Sequence, residues 1–357
     1  MWKKKISAAA LATVLTIGVS ASVFAHDGWS QTNAPIVAQG ETVYVDLLFG
    51  NHSNEHKSYR IAGQWSPDTS NIYVTTPAGK KADITSTRFY TGEPATETEP
   101  AVNNGFVASF LSSSPGAYII SVEGDSVFKH GETASRTLRS AKSFVAVSDI
   151  PVLDRVKDLK GFSRAVTPDR AELVPEFNPA AVTPNEQVSV RLLLKGKPLA
   201  DTEVTLIRRS TSEAQTFTTD ADGRITFQTG PADYYLLRAK PATDEQKEGE
   251  YDAVSYEATM TFIVQNGTVK LPGAPTSPVP YLYVNGKPVA ADGAVIEDGT
   301  TYVNGSFIRQ YIDPNDSTYA NREKVALRAA AESLGATVEF LPAVGETRAA
   351  VLIYTKQ

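Results

Sequence analysis

The sequence contains no cysteine, only four histidines and, after its first residues, no long apolar run. Without cysteine the protein cannot form disulfides, thiolate metal sites or a thiol nucleophile, so the burial of apolar side chains must supply its stability. No nucleophile elbow, phosphate-binding loop, dinucleotide fingerprint or H-E-x-x-H zinc motif occurs. No acid and base pair stands out among the carboxylates either. We therefore predict that the protein is not an enzyme.

The N-terminus has the form of a secretory signal peptide, assigned to residues 1–25. Three lysines within Met1–Lys5 precede the apolar run Ile6–Val19, and a small-residue stretch ends at Ala25. Cleavage after Ala25 makes His26 the first residue of the mature chain and lowers its formal net charge from −6 to −9, since three lysines are lost. Cleavage one or two residues away, or an uncleaved anchor, is the alternative. The sequence thus predicts a secreted or cell-surface protein that does not span the membrane after cleavage, and its negative charge argues against a nucleic-acid partner.

Short segments rich in β-branched and aromatic residues, separated by turn residues, fill most of the mature chain. They predict antiparallel strands in two successive blocks, residues 26–150 and 165–265. Residues 266–280 are rich in proline and predict a linker. Residues 281–357 combine short strands with a helical pattern over Arg322–Leu334. We therefore predict a mostly β protein with two tandem antiparallel β-sandwich domains, immunoglobulin-like or prealbumin-like, and a small C-terminal α+β module.

Several stretches of the first two blocks match one family of exported domains. They are Ala25–Trp29, Gly50–His52, Glu172–Pro175, Asn178–Pro179, Leu193–Val204, Thr219–Arg224 and Tyr256–Val264. Together they cover roughly residues 26–264, and the middle stretches are the most specific. In these stretches the chain resembles the NikM-like family, extracytoplasmic domains of unknown function that are associated with nickel and cobalt uptake. The resemblance implies a metal-handling role outside the membrane, with a nickel or cobalt permease as partner.

The C-terminal block carries a second resemblance, in Tyr283–Val289, Asp298–Val303 and Leu327–Phe340. These stretches look like the N-terminal-domain repeat of copper amine oxidases, a stalk or surface module of exported Gram-positive proteins. The usual pattern runs almost directly from the Tyr-Val strand to the Leu-Arg helix, whereas Asn304–Lys324 intervenes here. The resemblance implies contact with the cell wall or a partner, and no copper or oxidase chemistry.

The histidines are concentrated in the first block, at His26, His52, His56 and His130. The free α-amine and ring Nδ1 of an N-terminal histidine can chelate one ion, and such nitrogen ligands suit Cu²⁺ and Ni²⁺. The α-amine, with an ordinary pKa of about 8, must lose its proton to bind, so binding should weaken in mildly acidic medium. We predict a metal site at His26 and His52, with His56 and then His130 as further ligands.

The surroundings of this predicted site are less defined. His52 and His56 would meet on a helical turn but not on a strand, so their spacing leaves the geometry open. The alternative for each histidine is a solvated loop residue, and this alternative is strongest for His130. Asp27, Asp46 and Glu55 are the nearest oxygen donors in sequence. The Asp220–Gly223 stretch has the look of a calcium loop but lacks the later glutamate of an EF-hand, which favours a hairpin turn.

The leading hypothesis is an exported protein that captures a divalent transition metal or delivers it to an uptake permease. The metal is nickel or cobalt according to the resemblance, and copper according to the ligand chemistry. The alternative is a structural or adhesive cell-surface protein that binds wall polymer or a protein partner. A copper oxidase of polysaccharides with a histidine brace is a third hypothesis.

Overall fold

The computed structural model describes residues 27–50, 65–92, 96–98, 105–267, 279–344 and 347–356. Strands far outnumber helices in this part of the chain, and most strand pairs are antiparallel. The expected mostly β, sandwich-like class is therefore confirmed.

The described part of the first block contains the strands β1 (Asp27–Thr32), β2 (Ile36–Ala38), β3 (Thr42–Gly50), β4 (Ser70–Thr75), β5 (Lys81–Asp83), β6 (Phe89–Tyr90), β7 (Phe106–Leu111), β8 (Gly116–His130) and β9 (Thr133–Ser148). Helix α1 (Leu153–Val156) then leads to the second block. That block contains β10 (Ala171–Pro175), β11 (Gln187–Leu194), β12 (Lys197–Pro198), β13 (Glu203–Arg208), β14 (Ala214–Thr218), β15 (Arg224–Gln228), β16 (Asp233–Ala239), β17 (Ala242–Thr243) and β18 (Ala253–Val264). The C-terminal block contains β19 (Tyr281–Val284), β20 (Lys287–Val289), β21 (Val295–Glu297), β22 (Thr300–Val303), α2 (Gly305–Tyr311), β23 (Val325–Ala326), α3 (Leu327–Ser333), β24 (Thr337–Leu341) and β25 (Ala350–Tyr354).

One long sheet runs through both N-terminal blocks. Its strands lie in the order β14-β13-β16-β18-β9-β8-β4-β5, with β17 paired to β18 and β2 paired to β9. Strand β9 of the first block and β18 of the second are parallel neighbours, with Ala253 opposite Ser135 and Met260 opposite Lys142. The sequence did not predict this pairing, because the alternation of apolar residues within a strand does not specify which distant strand lies beside it.

Smaller sheets cover both faces of the long sheet. On one face, the sheet β1-β3-β7-β6 encloses a core that includes Trp65 and Val145. On the other face, β10, β11, β12 and β15 enclose a core that includes Phe144 and Phe262. Adjacent residues of β9 enter opposite cores because side chains alternate along a strand. This explains why β9 is buried without interruption from Thr137 to Ser148.

An ion pair is buried between β9 and β10. Lys142 Nζ lies 2.5 Å from Glu172 Oε1, and the two side chains are 0% and 1% exposed. The same Nζ donates to Leu173 O at 3.1 Å, and Oε1 accepts the backbone N–H of Val166 at 2.6 Å and that of Thr167 at 3.2 Å. Burial lowers the pKa of Lys142, and the Glu172 carboxylate opposes that shift. The pair ties the segment that precedes β10 to the long sheet.

The C-terminal block forms two small sheets, β20-β19-β25-β24 and β21-β22-β23. Asn285 and Gly286 join β19 to β20 with φ values of 48° and 81°, the positive angles that a type I′ hairpin turn requires. The helix predicted over Arg322–Leu334 was wrong at its beginning, because Val325 pairs with Val303 of β22 and helix α3 starts only at Leu327.

The stretch predicted as an insertion contains helix α2, which the sequence analysis missed. The side chain of Asn304 caps this helix by accepting the backbone N–H of Phe307 at 3.1 Å. Within the described ranges, no helix is long and apolar enough to cross a membrane.

The C-terminal block packs directly on the first two blocks. Parts of β24 and β25 belong to the same core as Phe144. The buried guanidinium of Arg155 pairs with Asp149 and donates to the carbonyl oxygens of Leu341 and Pro342. A shared core and a buried cation therefore hold this block in place.

Candidate functional site

Three of the four predicted metal ligands, His26, His52 and His56, lie outside the described residues. The fourth, His130, is the last residue of β8, and its backbone pairs with Thr133 at the tip of the β8–β9 hairpin. Among the residues that the structure describes, no three or more histidine, aspartate or glutamate side chains come together as a metal site. The metal site therefore stays a prediction.

Strand β1 is clamped to the second block at its first residue. The side chain of Asp27 is 0% exposed, its Oδ2 lies 2.5 Å from Arg238 Nη1, and its Oδ1 lies 2.7 Å from Lys240 Nζ. Opposite charges this close compensate part of the cost of burying the carboxylate. Asp27, which the sequence offered as an oxygen donor for a metal, is therefore already engaged by two cations.

The rest of β1 is packed on both sides, although most of its side chains are polar. Gly28 lies against the ring of Trp65, which a Cβ atom on this residue would approach to 2.6 Å. Its carbonyl oxygen accepts a hydrogen bond from Thr259 Oγ1 at 2.7 Å, and Ser30 Oγ donates to Ser143 Oγ at 3.1 Å. Strand β1 therefore has a fixed position across β9 and β18.

The pairing of β1 with β3 defines the end of the ladder nearest the predicted site. The two strands are antiparallel, from Thr32 opposite Val45 to Asp27 opposite Gly50. In sequence, His26 adjoins Asp27 and His52 follows Gly50 by two residues. Two predicted ligands, His26 and His52, are therefore within two residues in sequence of the paired residues Asp27 and Gly50 at this end of the ladder.

The backbone of His130 lies at a different level of the long sheet. Thr259, which contacts Gly28, is opposite Ala141 of β9. His130 is opposite Thr133, eight residues along β9 from Ala141, which corresponds to roughly 26 Å at about 3.3 Å per residue. The hairpin tip and the start of β1 are therefore well separated.

Two other acidic candidates have internal partners. Asp46 Oδ2 accepts a hydrogen bond from Gln31 Nε2 at 3.3 Å. Asp220 Oδ1 accepts the backbone N–H groups of Asp222 and Arg224 at 2.9 and 2.8 Å. The bonds at Asp220 close a tight turn, as expected, but this turn joins β14 to β15, which lie in different sheets, so the prediction of a hairpin was wrong.

A cleft of about 1130 Å³ lies between the C-terminal block, the β4–β5 turn and the segment from α1 to β10. One wall is formed by Thr337–Phe340 of β24, the outermost strand of its sheet. Val338 O of this strand accepts the side chain of Arg328, which also lines the cleft, so the unpaired backbone edge of β24 borders the cleft. The charged side chains that line the cleft are Asp158, Lys160, Arg164, Arg328, Glu332, Glu339 and Lys356.

Glu339 is the buried charged group of this cleft. The residue is 5% exposed, and its Oε2 has no hydrogen-bond partner among the described residues. Burial raises the pKa of Glu339, although Arg164 and the backbone N–H groups of Lys160 and Gly161 act in the opposite direction. The sequence analysis missed this residue. The alternation of residues in Thr337–Phe340 places Glu339 on the polar face with Thr337, so the sequence carried no signal for its burial.

Comparisons with solved structures return only distant similarities. The chain is similar to a DUF4785 family protein from Legionella pneumophila, with 11% identity and a TM-score of 0.20 over 59% of this chain and 51% of that one. It is similar to a segment of two fibronectin type-III domains from chicken tenascin, with 13% identity and a TM-score of 0.17 over 67% and 99%. It is also similar to a Ca²⁺-stabilised adhesin that helps an Antarctic bacterium bind ice, with 13% identity and a TM-score of 0.19 over 92% and 74%. These TM-scores are too low to support an assignment.

The sequence itself gives a firmer result. No protein with a curated description matches the chain. Residues 23–243, more than half of the chain, match a family described as a domain of unknown function, DUF4198. The match covers the first block, with the start of β1, and most of the second block. The chain therefore belongs to the DUF4198 family.

Proposed function

We propose that this protein is an exported, non-enzymatic protein that binds a divalent transition metal at the start of its mature chain. His26 would bind through its α-amine and ring, His52 would be the second ligand, and His56 the next. Nickel or cobalt is favoured by the resemblance to NikM-like domains, and copper by the nitrogen donors. The role is metal capture, or delivery to an uptake permease.

The observation that supports this proposal is the pairing of Asp27 with Gly50. Consecutive Cα atoms are about 3.8 Å apart. His26 is one residue before Asp27 and His52 is two residues after Gly50, so a short length of chain on each side would suffice to bring the two histidines to one ion. The clamp formed by Arg238 and Lys240 on Asp27 adds a fixed attachment point for the N-terminal ligand. A chelating α-amine gains affinity from such preorganisation.

Isothermal titration with Ni²⁺, Co²⁺ and Cu²⁺ tests the proposal directly. The protein should start at His26 without an added residue, and mass spectrometry of the N-terminal peptide should verify this. We expect micromolar or tighter binding, which weakens at least tenfold when one alanine precedes His26, because the amine then no longer closes a chelate ring. The affinity should also fall between about pH 8 and pH 6 as the α-amine becomes protonated.

Two variants separate the predicted ligands. His52→Ala should weaken binding about as much as the alanine extension does. His130→Ala is the matched control and should leave the affinity unchanged, because the backbone of His130 lies at the far hairpin tip. Binding that survives both the extension and His52→Ala would contradict the proposal. Sedimentation of a metal-free protein with purified cell wall would then favour the adhesive alternative.

A further inference from the structure

The cleft beside β24 has the properties of a peptide site that is independent of the predicted metal site. We propose that it binds an extended acidic peptide, which pairs with β24 as an additional strand. The edge of β24, the charge of the cleft and its size support this assignment.

The first observation is the edge itself. Among the residues that the structure describes, β24 pairs only with β25, with Thr337 opposite Tyr354 and Leu341 opposite Ala350. An outermost strand presents backbone N–H and C=O groups that another extended chain can pair with. On this edge Val338 O accepts the side chain of Arg328 at 2.5 Å. Because outward-pointing backbone groups alternate along a strand, the N–H of Val338 and the N–H and C=O of Phe340 are the groups of β24 left for main-chain pairing.

The second observation is an excess of unpaired positive charge. Lys160, Arg164 and Lys356 line the cleft, and none of them has a carboxylate within ion-pair distance among the described residues. Two carboxylates of the lining, those of Asp158 and Glu339, are likewise without an ion pair there, so the excess is one positive charge. Arg164 instead donates to the carbonyl oxygens of Thr76 and Pro77. Because opposite charges attract across a partly desolvated groove, these cations favour a peptide with acidic side chains over a basic one.

The third observation concerns the size of the cleft and its inner end. Its volume of about 1130 Å³ slightly exceeds the roughly 300–1,000 Å³ of sites for small molecules, so a short stretch of extended chain is a better fit. At the inner end, Glu339 Oε2 is a buried acceptor without a partner in the described structure. A donor from the peptide would remove part of the cost of burying this acceptor.

Fluorescence anisotropy with two labelled peptides of the length of β24 tests the proposal on the full mature chain. One peptide alternates glutamate and valine, and the other alternates lysine and valine. We expect saturable binding of the acidic peptide and at least tenfold weaker binding of the basic one. The double variant Lys160→Glu and Lys356→Glu should weaken binding of the acidic peptide about tenfold, from two lost ion pairs of about 0.7 kcal/mol each. Both lysines are exposed, so their replacement should not disturb folding.

Matched controls distinguish strand addition from general attraction to charge. Reversal of two exposed lysines outside the cleft, Lys197→Glu with Lys287→Glu, should leave the affinity unchanged. N-methylation of alternate peptide bonds should abolish binding in one phase and spare it in the other, because an added strand uses every second N–H. Equal affinity for the two peptides, equal effects of both N-methylation phases, or no saturable binding would overturn the proposal. So would a dimer that dissociates in the Lys160→Glu and Lys356→Glu variant, which would assign the cleft to a second copy of the chain.

Discussion

Replacement of Lys142 by methionine should destabilise the protein by about 3–5 kcal/mol, the usual cost of removing one partner from a buried ion pair. Methionine retains most of the side-chain volume, so the effect reports the charge rather than a cavity. The loss is large because Glu172 is 1% exposed and would remain as a buried carboxylate with only the N–H groups of Val166 and Thr167 as partners. Typical domains are stable by only about 5–15 kcal/mol, so the variant should be close to unfolding.

Glu172→Gln should lower the free energy of unfolding by less than Lys142→Met does. The amide oxygen can still accept the two backbone N–H groups, and Lys142 keeps its bond to Leu173 O. Burial already lowers the pKa of Lys142, so the unpaired amine can shed its proton more readily than an exposed lysine. The double variant Lys142→Met with Glu172→Gln should therefore lose less free energy of unfolding than the two single variants lose together, and the difference should be at least about 1 kcal/mol.

Urea unfolding followed by tryptophan fluorescence measures these differences, with Trp65 as a buried probe in the opposite core. The exposed pair of Lys195 and Glu245 provides the matched control, and Lys195→Met should change the stability by at most about 1 kcal/mol. A loss below about 1 kcal/mol for Lys142→Met, or strictly additive effects in the double variant, would refute the assignment of a buried ion pair.

Two further substitutions test two other buried carboxylates, Asp27 and Glu339. Asp27→Asn should lower the free energy of unfolding by about 2–3 kcal/mol and accelerate amide hydrogen exchange in β1, because Arg238 and Lys240 lose their shared anion. Unchanged hydrogen exchange in β1 would contradict the role of these two ion pairs. Glu339→Gln should stabilise the protein at neutral pH by about 1–3 kcal/mol, because it removes a charge that lacks a partner on one oxygen. The pKa of Glu339 is raised in the folded state, so the carboxyl favours folding fully below its ordinary pKa of about 4.3 and loses this contribution as the pH rises through its folded pKa. The advantage of glutamine in urea unfolding should thus vanish near pH 4, and an advantage that persists there would contradict this cause.

Local patterns in the sequence were sufficient for most of the strands. The segments rich in β-branched and aromatic residues in the two predicted blocks form strands, for example β3 at Thr42–Gly50 and β11 at Gln187–Leu194. Such segments alternate apolar and polar residues, and this alternation is a local property. The error at Val325 has a non-local cause, because this residue fits a helical pattern but pairs with Val303 instead.

The candidate sites were harder to predict, for a similar reason. Asp27 looked like a free carboxylate near the predicted mature N-terminus, yet its partner Arg238 is more than two hundred positions away in sequence. The cleft is formed by three separate parts of the chain, which no local pattern relates to one another. Glu339 left no local signal either, because it alternates with the apolar Val338 and Phe340 and so has the pattern of a solvent-facing strand residue.

The parallel pair of β9 and β18 affects how the chain can be divided for experiments. The DUF4198 match ends at residue 243, but β18 begins only at Ala253. A fragment cut at the family boundary would lack the strand that lies between β9 and β16, and both would be left with open, largely apolar edges. Open edges of this kind recruit other chains, so such a fragment should aggregate, whereas one that extends through Val264 retains the pairing. The smallest unit worth expressing is therefore longer than the family definition.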